Sequence, residues 1–141
     1  METLKLESRP ARANQQITVV IMEGELVVSS AASFESYLGE IIKQKEPKIV
    51  LNMEKVFDIS GRGFGSLLTV LRETRNRDGD LKIVNVSAEI FEIFRILNFQ
   101  DLFQMLKNEE VAVKAFDPSD RNFYNPPFKG VNVKSEGNLK R

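Results

Sequence analysis

Residues 49–65, with the sequence IVLNMEKVFDISGRGFG, join an apolar segment to a glycine-containing turn and a further apolar segment. Ile49, Val50 and Leu51 are consecutive apolar residues, which is typical of a strand covered on both faces. We therefore expect this strand to be the central strand of a sheet. In 64–71 the apolar residues recur every three or four positions, which predicts an amphipathic helix directly after the turn.

The segment before residue 49 predicts a hairpin and one helix. Within 4–26 two alternating apolar runs are separated by polar residues and Pro10, which favours two antiparallel strands. Ser29 or Ser30 can then cap a helix over about 31–45, where apolar residues again recur at helical spacing.

The segment after residue 76 predicts a strand, a helix and a last strand. We expect the strand at 81–86 and a helix from Ser87 or Ala88 to near Asn98, and the run 111–116 can close the sheet. The element order is β-β-α-β-α-β-α-β. This order predicts an α/β fold in which a mixed sheet is packed with α-helices.

The length of 141 residues fits one domain, which we place at 1–116. Residues 117–141 are rich in Pro, Asn, Ser and Gly and show no sustained period, so we interpret them as a polar C-terminal tail. Phe123, Tyr124 and Phe128 could fix part of this tail to the domain or to a neighbour; docking and disorder are both open.

The composition excludes several classes of function. The chain has no cysteine and no histidine, which excludes thiol nucleophiles, histidine bases and the common zinc sites, so we expect no enzyme activity, no cofactor and no metal. Twenty basic residues balance twenty acidic ones, so we expect no direct binding of nucleic acid. No apolar run is long enough for membrane insertion or a secretion signal, and we expect a cytoplasmic protein.

Three segments together resemble the STAS domain family, which includes the anti-sigma factor antagonists. Residues 24–26 resemble the end of the second family strand. Residues 49–53 followed by 58–63 are similar to the central strand and its Asp-Ser-Ser-Gly-Leu-Gly signature, and 96–103 are similar to the end of the third helix. The resemblance spans about 4–116 and implies the STAS fold.

The resemblance also implies a regulatory function without catalysis. It implies that Ser60 is phosphorylated by an anti-sigma factor that is a serine kinase of the GHKL type, and that the phosphate blocks docking. A phosphatase of the PP2C type would reverse the modification. A serine at a helix N-terminus suits this role because unpaired backbone N–H groups favour phosphate there. The expected partner-binding residues surround Ser60: Asp58, Ile59, Gly61, Arg62, Gly63 and Phe64.

Other interpretations of these residues stay open. Ser60 could serve only as a helix cap, and Asp58 is more typical of a turn residue than of a metal ligand. Val27 stands where the family's antagonists usually have Asp, and Ile59 replaces the first serine of the signature. These two departures favour an alternative, a STAS scaffold or transport-accessory subunit without a phosphate switch.

The third predicted helix carries more apolar residues than one buried stripe needs. Phe91 and Ile96 are the surplus, and they could form a protein-binding face or a homodimer contact. A larger core, or contact with Phe128 of the tail, would explain them equally well.

Overall fold

The computed structural model describes residues 3–117, in which five strands and four helices follow one another along the chain. The predicted tail 117–141 lies outside the described residues except for Asp117. The elements are β1 (Leu4–Pro10), β2 (Ile17–Leu26), α1 (Val28–Ile42), β3 (Lys48–Ile59), α2 (Gly61–Asn76), β4 (Asp80–Val84), α3 (Ala88–Ile96), β5 (Gln104–Leu106) and α4 (Glu109–Ala115).

The strands form one mixed sheet in the order β1-β2-β3-β4-β5. β1 runs antiparallel to β2, and the other neighbouring strands are parallel. β3 is the central strand, as predicted from its apolar run, and Ile49, Val50 and Leu51 are completely buried. Pro10, which we expected in the turn, is instead the last residue of β1. An edge strand tolerates proline because a missing N–H there leaves no neighbour unpaired.

The two faces of the sheet support separate apolar clusters. Side chains alternate between faces along a strand, so Ile49 and Leu51 join one cluster while Val50 joins the other. The larger cluster includes buried residues of α1, α2 and α3. The smaller one includes Ala112 of α4. The sheet is therefore covered by three helices on one face and by α4 on the other.

The predicted last strand at 111–116 is wrong, because this segment belongs to α4. The Asn108 side chain accepts a hydrogen bond from the Val111 N–H at 2.9 Å, and Glu109 and Glu110 lie in the first turn, where carboxylates favour a helix. The sheet is closed instead by β5, which has only three residues.

The first helix also begins earlier than predicted. α1 starts at Val28 with Val27 as its N-cap, and it ends at Ile42. Ser30, which we expected at the cap, lies inside the first turn, where its hydroxyl accepts a hydrogen bond from the Val27 N–H at 2.9 Å. A serine at this position therefore satisfies the backbone of the cap residue from within the helix.

The third helix has its predicted limits but a different buried face. Ser87 caps α3, and Asn98, which follows the helix, has a left-handed conformation with φ of 62°. Phe91 is buried in the larger cluster and is not surplus surface. Ile96 and Leu97, at the end of the helix, are 65% and 43% exposed.

Candidate functional site

Ser60 lies between the central strand and the second helix, where it is the N-cap of α2. Its hydroxyl oxygen accepts a hydrogen bond from the Gly63 N–H at 3.2 Å, and its own N–H donates to the Leu26 carbonyl at 3.0 Å. These two bonds tie Ser60 to both its helix and the end of β2. The residue is half-buried, so part of Ser60 stays accessible to solvent.

Gly63 allows the first turn of α2 to approach the end of β2. A Cβ at this position would lie 2.0 Å from the Leu26 carbonyl oxygen, which is shorter than any side chain tolerates. Gly61 and Gly65 have open space where their Cβ atoms would lie. Of these three glycines, only Gly63 is therefore required by a close contact. This contact determines how near the start of α2 lies to the end of β2.

The residues that we expected to bind a partner fall into two groups. Asp58, Gly61 and Arg62 are exposed. Ile59, Gly63 and Phe64 are buried, and the Phe64 ring packs edge-on against another ring of the core, Phe94, at a centroid distance of 4.9 Å. The buried residues are not accessible to a partner, so they can only support the exposed residues near Ser60.

Asp58 lies within β3, where it is paired in register with Glu25, and not in the turn where we expected it. Asp58 is exposed and lies two residues before Ser60. Within residues 3–117, no group of three or more acidic side chains is placed to hold a metal ion.

Arg62 is joined to the first helix by a closed network of three side chains. Its Nη1 donates to Oε2 of Glu35 at 2.8 Å and to Oγ of Ser66 at 2.8 Å. The Ser66 hydroxyl in turn donates to Oε2 of Glu35 at 2.6 Å. This hydrogen bond from Ser66, followed by the hydrogen bond from Arg62, lowers the pKa of Glu35 from its ordinary value.

Sequence reasoning missed two members of this network. Ser66 is a polar residue of the amphipathic helix α2, yet it is completely buried at the contact between α1 and α2. Its spacing of four residues from Arg62 was the available signal, because residues four apart lie on the same side of a helix. Nothing in the sequence pairs Glu35 with Arg62, since the two lie on different helices.

Two large apolar side chains near Ser60 are exposed. Phe57 is 69% exposed and Val28 is 74% exposed. Leu26 and Ile59 are paired in register at the ends of β2 and β3. Phe57 lies two residues before Ile59, and Val28 lies two residues after Leu26. Exposed apolar side chains, close along the chain to exposed charged ones, are typical of a protein-binding surface.

Comparison with protein families identifies the fold. Residues 8–112 match the model of the STAS domain family. The chain belongs to this family. Among residues 3–117, no helix combines the length and the apolar character that crossing a membrane requires.

The relatives agree with this assignment. An anti-sigma factor antagonist by name, BtrV of Bordetella bronchiseptica, is 24% identical over 98 residues, which are 70% of this chain and 84% of that protein. An anti-sigma factor antagonist from Mycobacterium paratuberculosis has a similar structure, with a TM-score of 0.69, 15% identity and coverage of 79% of this chain and 92% of that chain.

The fold is also similar to that of SpoIIAA. The unphosphorylated form of this anti-sigma factor antagonist gives a TM-score of 0.59 at 20% identity, with coverage of 84% of this chain and 100% of that chain. The phosphorylated form of the Bacillus SpoIIAA gives a TM-score of 0.58 at 20% identity over 80% of this chain and 98% of that chain. The α/β fold with its initial hairpin, predicted from the sequence, is therefore confirmed.

Proposed function

We propose that this protein is an anti-sigma factor antagonist, a regulatory module that binds an anti-sigma factor and thereby releases a sigma factor. Membership of the STAS family and the similarity to BtrV support this class of function. The partner that we propose is an anti-sigma factor of the GHKL kinase type, which phosphorylates Ser60, with a PP2C-type phosphatase removing the phosphate. The protein would act in the cytoplasm without contacting nucleic acid.

The position of Ser60 carries this proposal. Ser60 is half-buried, its N–H is bonded to the Leu26 carbonyl, and its hydroxyl oxygen is bonded to the Gly63 N–H, so a kinase would meet a hydroxyl in a fixed place. A phosphate adds about −1.5 to −2 charge at neutral pH, and the first N–H groups of α2 favour that charge. Modification would therefore be tolerated by the fold while it changes the charge of the exposed surface.

The exposed residues around Ser60 give the proposed docking surface its composition. We define the Ser60 surface as Ser60 with five exposed neighbours: Val28, Phe57, Asp58, Gly61 and Arg62. The apolar side chains supply contact area, and the charged ones restrict which partner can dock. Ile59, Gly63 and Phe64 support this surface from the core.

The experiment for this proposal is phosphorylation in vitro. The purified protein is incubated with its GHKL-type kinase and ATP, and the modified peptide is identified by mass spectrometry. We expect phosphate on Ser60 and none in Ser60→Ala. Ser87→Ala is the matched control, because Ser87 caps α3 with the same type of hydrogen bond, to the Ile90 N–H at 3.1 Å. Phosphate on other residues alone would contradict the proposal.

A permanent scaffold or transport-accessory subunit is the second candidate. It is favoured by Val27, an apolar residue at the cap of α1 where the family's antagonists usually have Asp. Such a protein would use the same surface without a phosphate switch. Binding of the partner by Ser60→Asp separates the two, because a switch predicts loss of binding and a scaffold predicts that binding is retained.

A further inference from the structure

Arg62 has a hydrogen-bonding edge that the domain does not use. A guanidinium group carries five N–H donors in a planar fork. Its Nη1 already serves Glu35 and Ser66. Among residues 3–117, no acceptor is placed for its Nε or Nη2, and the side chain is 45% exposed. The Nε–Nη2 edge is therefore available to an acceptor from another molecule.

The network restrains Arg62 before any partner arrives. Ser66 is fully buried and Glu35 lies on α1, so the bonded side of the guanidinium is held by two different helices. A long side chain normally loses rotamer freedom when it becomes part of an interface. Because Arg62 is already held at Nη1, much of this loss is incurred on folding and not on binding.

We propose that the Nε–Nη2 edge of Arg62 binds a carboxylate side chain of the partner protein in a bidentate ion pair, with Glu35 and Ser66 as positioning residues. The planar edge of arginine matches the two oxygens of a carboxylate in both spacing and direction. The inference rests on the proposed function, because the partner is the GHKL-type kinase that phosphorylates Ser60.

This arrangement predicts that phosphorylation of Ser60 weakens binding of the partner. Arg62 is the second residue of α2, within the helical turn that Ser60 caps. A phosphate on Ser60 would add a charge of about −1.5 to −2 two residues before Arg62, and this charge would repel the partner's carboxylate. The repulsion weakens the complex, so the unmodified protein is the form that binds.

The experiment measures the affinity of the purified protein for its GHKL-type kinase by calorimetry. We expect Arg62→Glu to weaken binding by roughly 30-fold or more, since reversing one member of a close charge pair across an interface has effects of this size. Arg62→Lys should show a smaller loss, because lysine keeps the charge and loses the fork. Glu35→Ala should also weaken binding, because it removes the acceptor that holds Arg62 to α1.

The matched control is Arg72→Glu, which reverses the charge of an exposed arginine further along α2. We expect it to bind like the wild type, and thermal unfolding should show that every variant is folded. In the reciprocal test, a kinase whose contacting carboxylate is replaced by arginine should recover binding to Arg62→Glu.

The possible failures are distinguishable. If the kinase binds the wild type and phosphorylates Ser60, but Arg62→Glu binds equally well, this inference alone is overturned. Equal binding by Arg62→Lys and the wild type would overturn the bidentate contact. If the kinase neither binds the wild type nor phosphorylates Ser60, the proposed function fails and this inference fails with it.

Discussion

Gly63 touches the backbone of Leu26 so closely that a Cβ on Gly63 would lie 2.0 Å from the Leu26 carbonyl oxygen. The same carbonyl accepts the hydrogen bond from the N–H of Ser60. The Leu26 backbone therefore determines both how near α2 lies to the end of β2 and where Ser60, the N-cap of α2, is placed. The position of Ser60 therefore depends on contacts between backbone atoms and not on a side-chain functional group.

The first prediction concerns this contact. We expect Gly63→Ala to lower the free energy of unfolding by about 1–3 kcal/mol, because overfilling a tight contact forces the backbone to move. Gly65→Ala is the control, since the Cβ at position 65 would meet open space. That change should leave stability unchanged or raise it by about 0.5–1 kcal/mol, because alanine favours a helix more than glycine does. Urea unfolding of both variants measures the difference, and equal stability would contradict the prediction.

The second prediction separates the capping role of Ser60 from its proposed role in binding. Ser60 and Ser87 each accept one N–H hydrogen bond at the start of a helix. We expect Ser60→Ala and Ser87→Ala to cost similar amounts of stability, about 0.5–2 kcal/mol each. Only Ser60→Ala should abolish phosphorylation by the kinase. A cost confined to Ser87→Ala would show that the cap of α2 contributes nothing to folding.

Local patterns were sufficient to predict the central part of this fold. The continuous apolar run of β3 predicted a strand buried on both faces, and the spacing of apolar residues in α2 predicted an amphipathic helix. The run 111–116 was ambiguous. It is short and contains apolar residues at alternating positions and also four apart, so only the cap formed by Asn108 distinguishes helix from strand.

The candidate site was only partly predictable for a related reason. The cap position of Ser60 follows from neighbouring residues, which a sequence displays directly. The pairing of Arg62 with Glu35 depends on how α1 packs against α2, and no spacing along the chain encodes that packing. The burial of Ser66 has the same origin, since its partners are supplied by the other helix.

The third prediction concerns acid. The pKa of Glu35 is lowered in the folded protein, first by the Ser66 hydroxyl and then by Arg62. A lowered folded-state pKa means that ionised Glu35 stabilises the fold above its ordinary pKa of about 4.3, and that this contribution is lost as the pH falls through the lowered value. We expect the stability difference between the wild type and Glu35→Gln to be larger at neutral pH than in strong acid.

Chemical unfolding of both proteins across this pH range measures the effect. The contribution should be small because the Glu35 side chain is 30% exposed, and solvent screens such pairs. Glu40→Gln is the control, since Glu40 lies on the same helix and is 73% exposed. We expect its effect on stability to change less with pH than that of Glu35→Gln. A stability difference for Glu35→Gln that does not change with pH would contradict the assigned role.

The fourth prediction concerns the C-terminal boundary of the domain. Removing residues 117–141 should leave cooperative thermal unfolding intact, with a loss below about 2 kcal/mol, because Phe116 is the last residue within 3–117 that packs against the smaller apolar cluster. Truncation after Asn108 is the contrasting variant. It would remove α4 and with it the cover over Val50, Val84 and Leu106, so a much larger loss is expected. A cooperative transition lost already on removing 117–141 would show that the tail completes the fold, and the domain boundary would then have to move beyond Phe116.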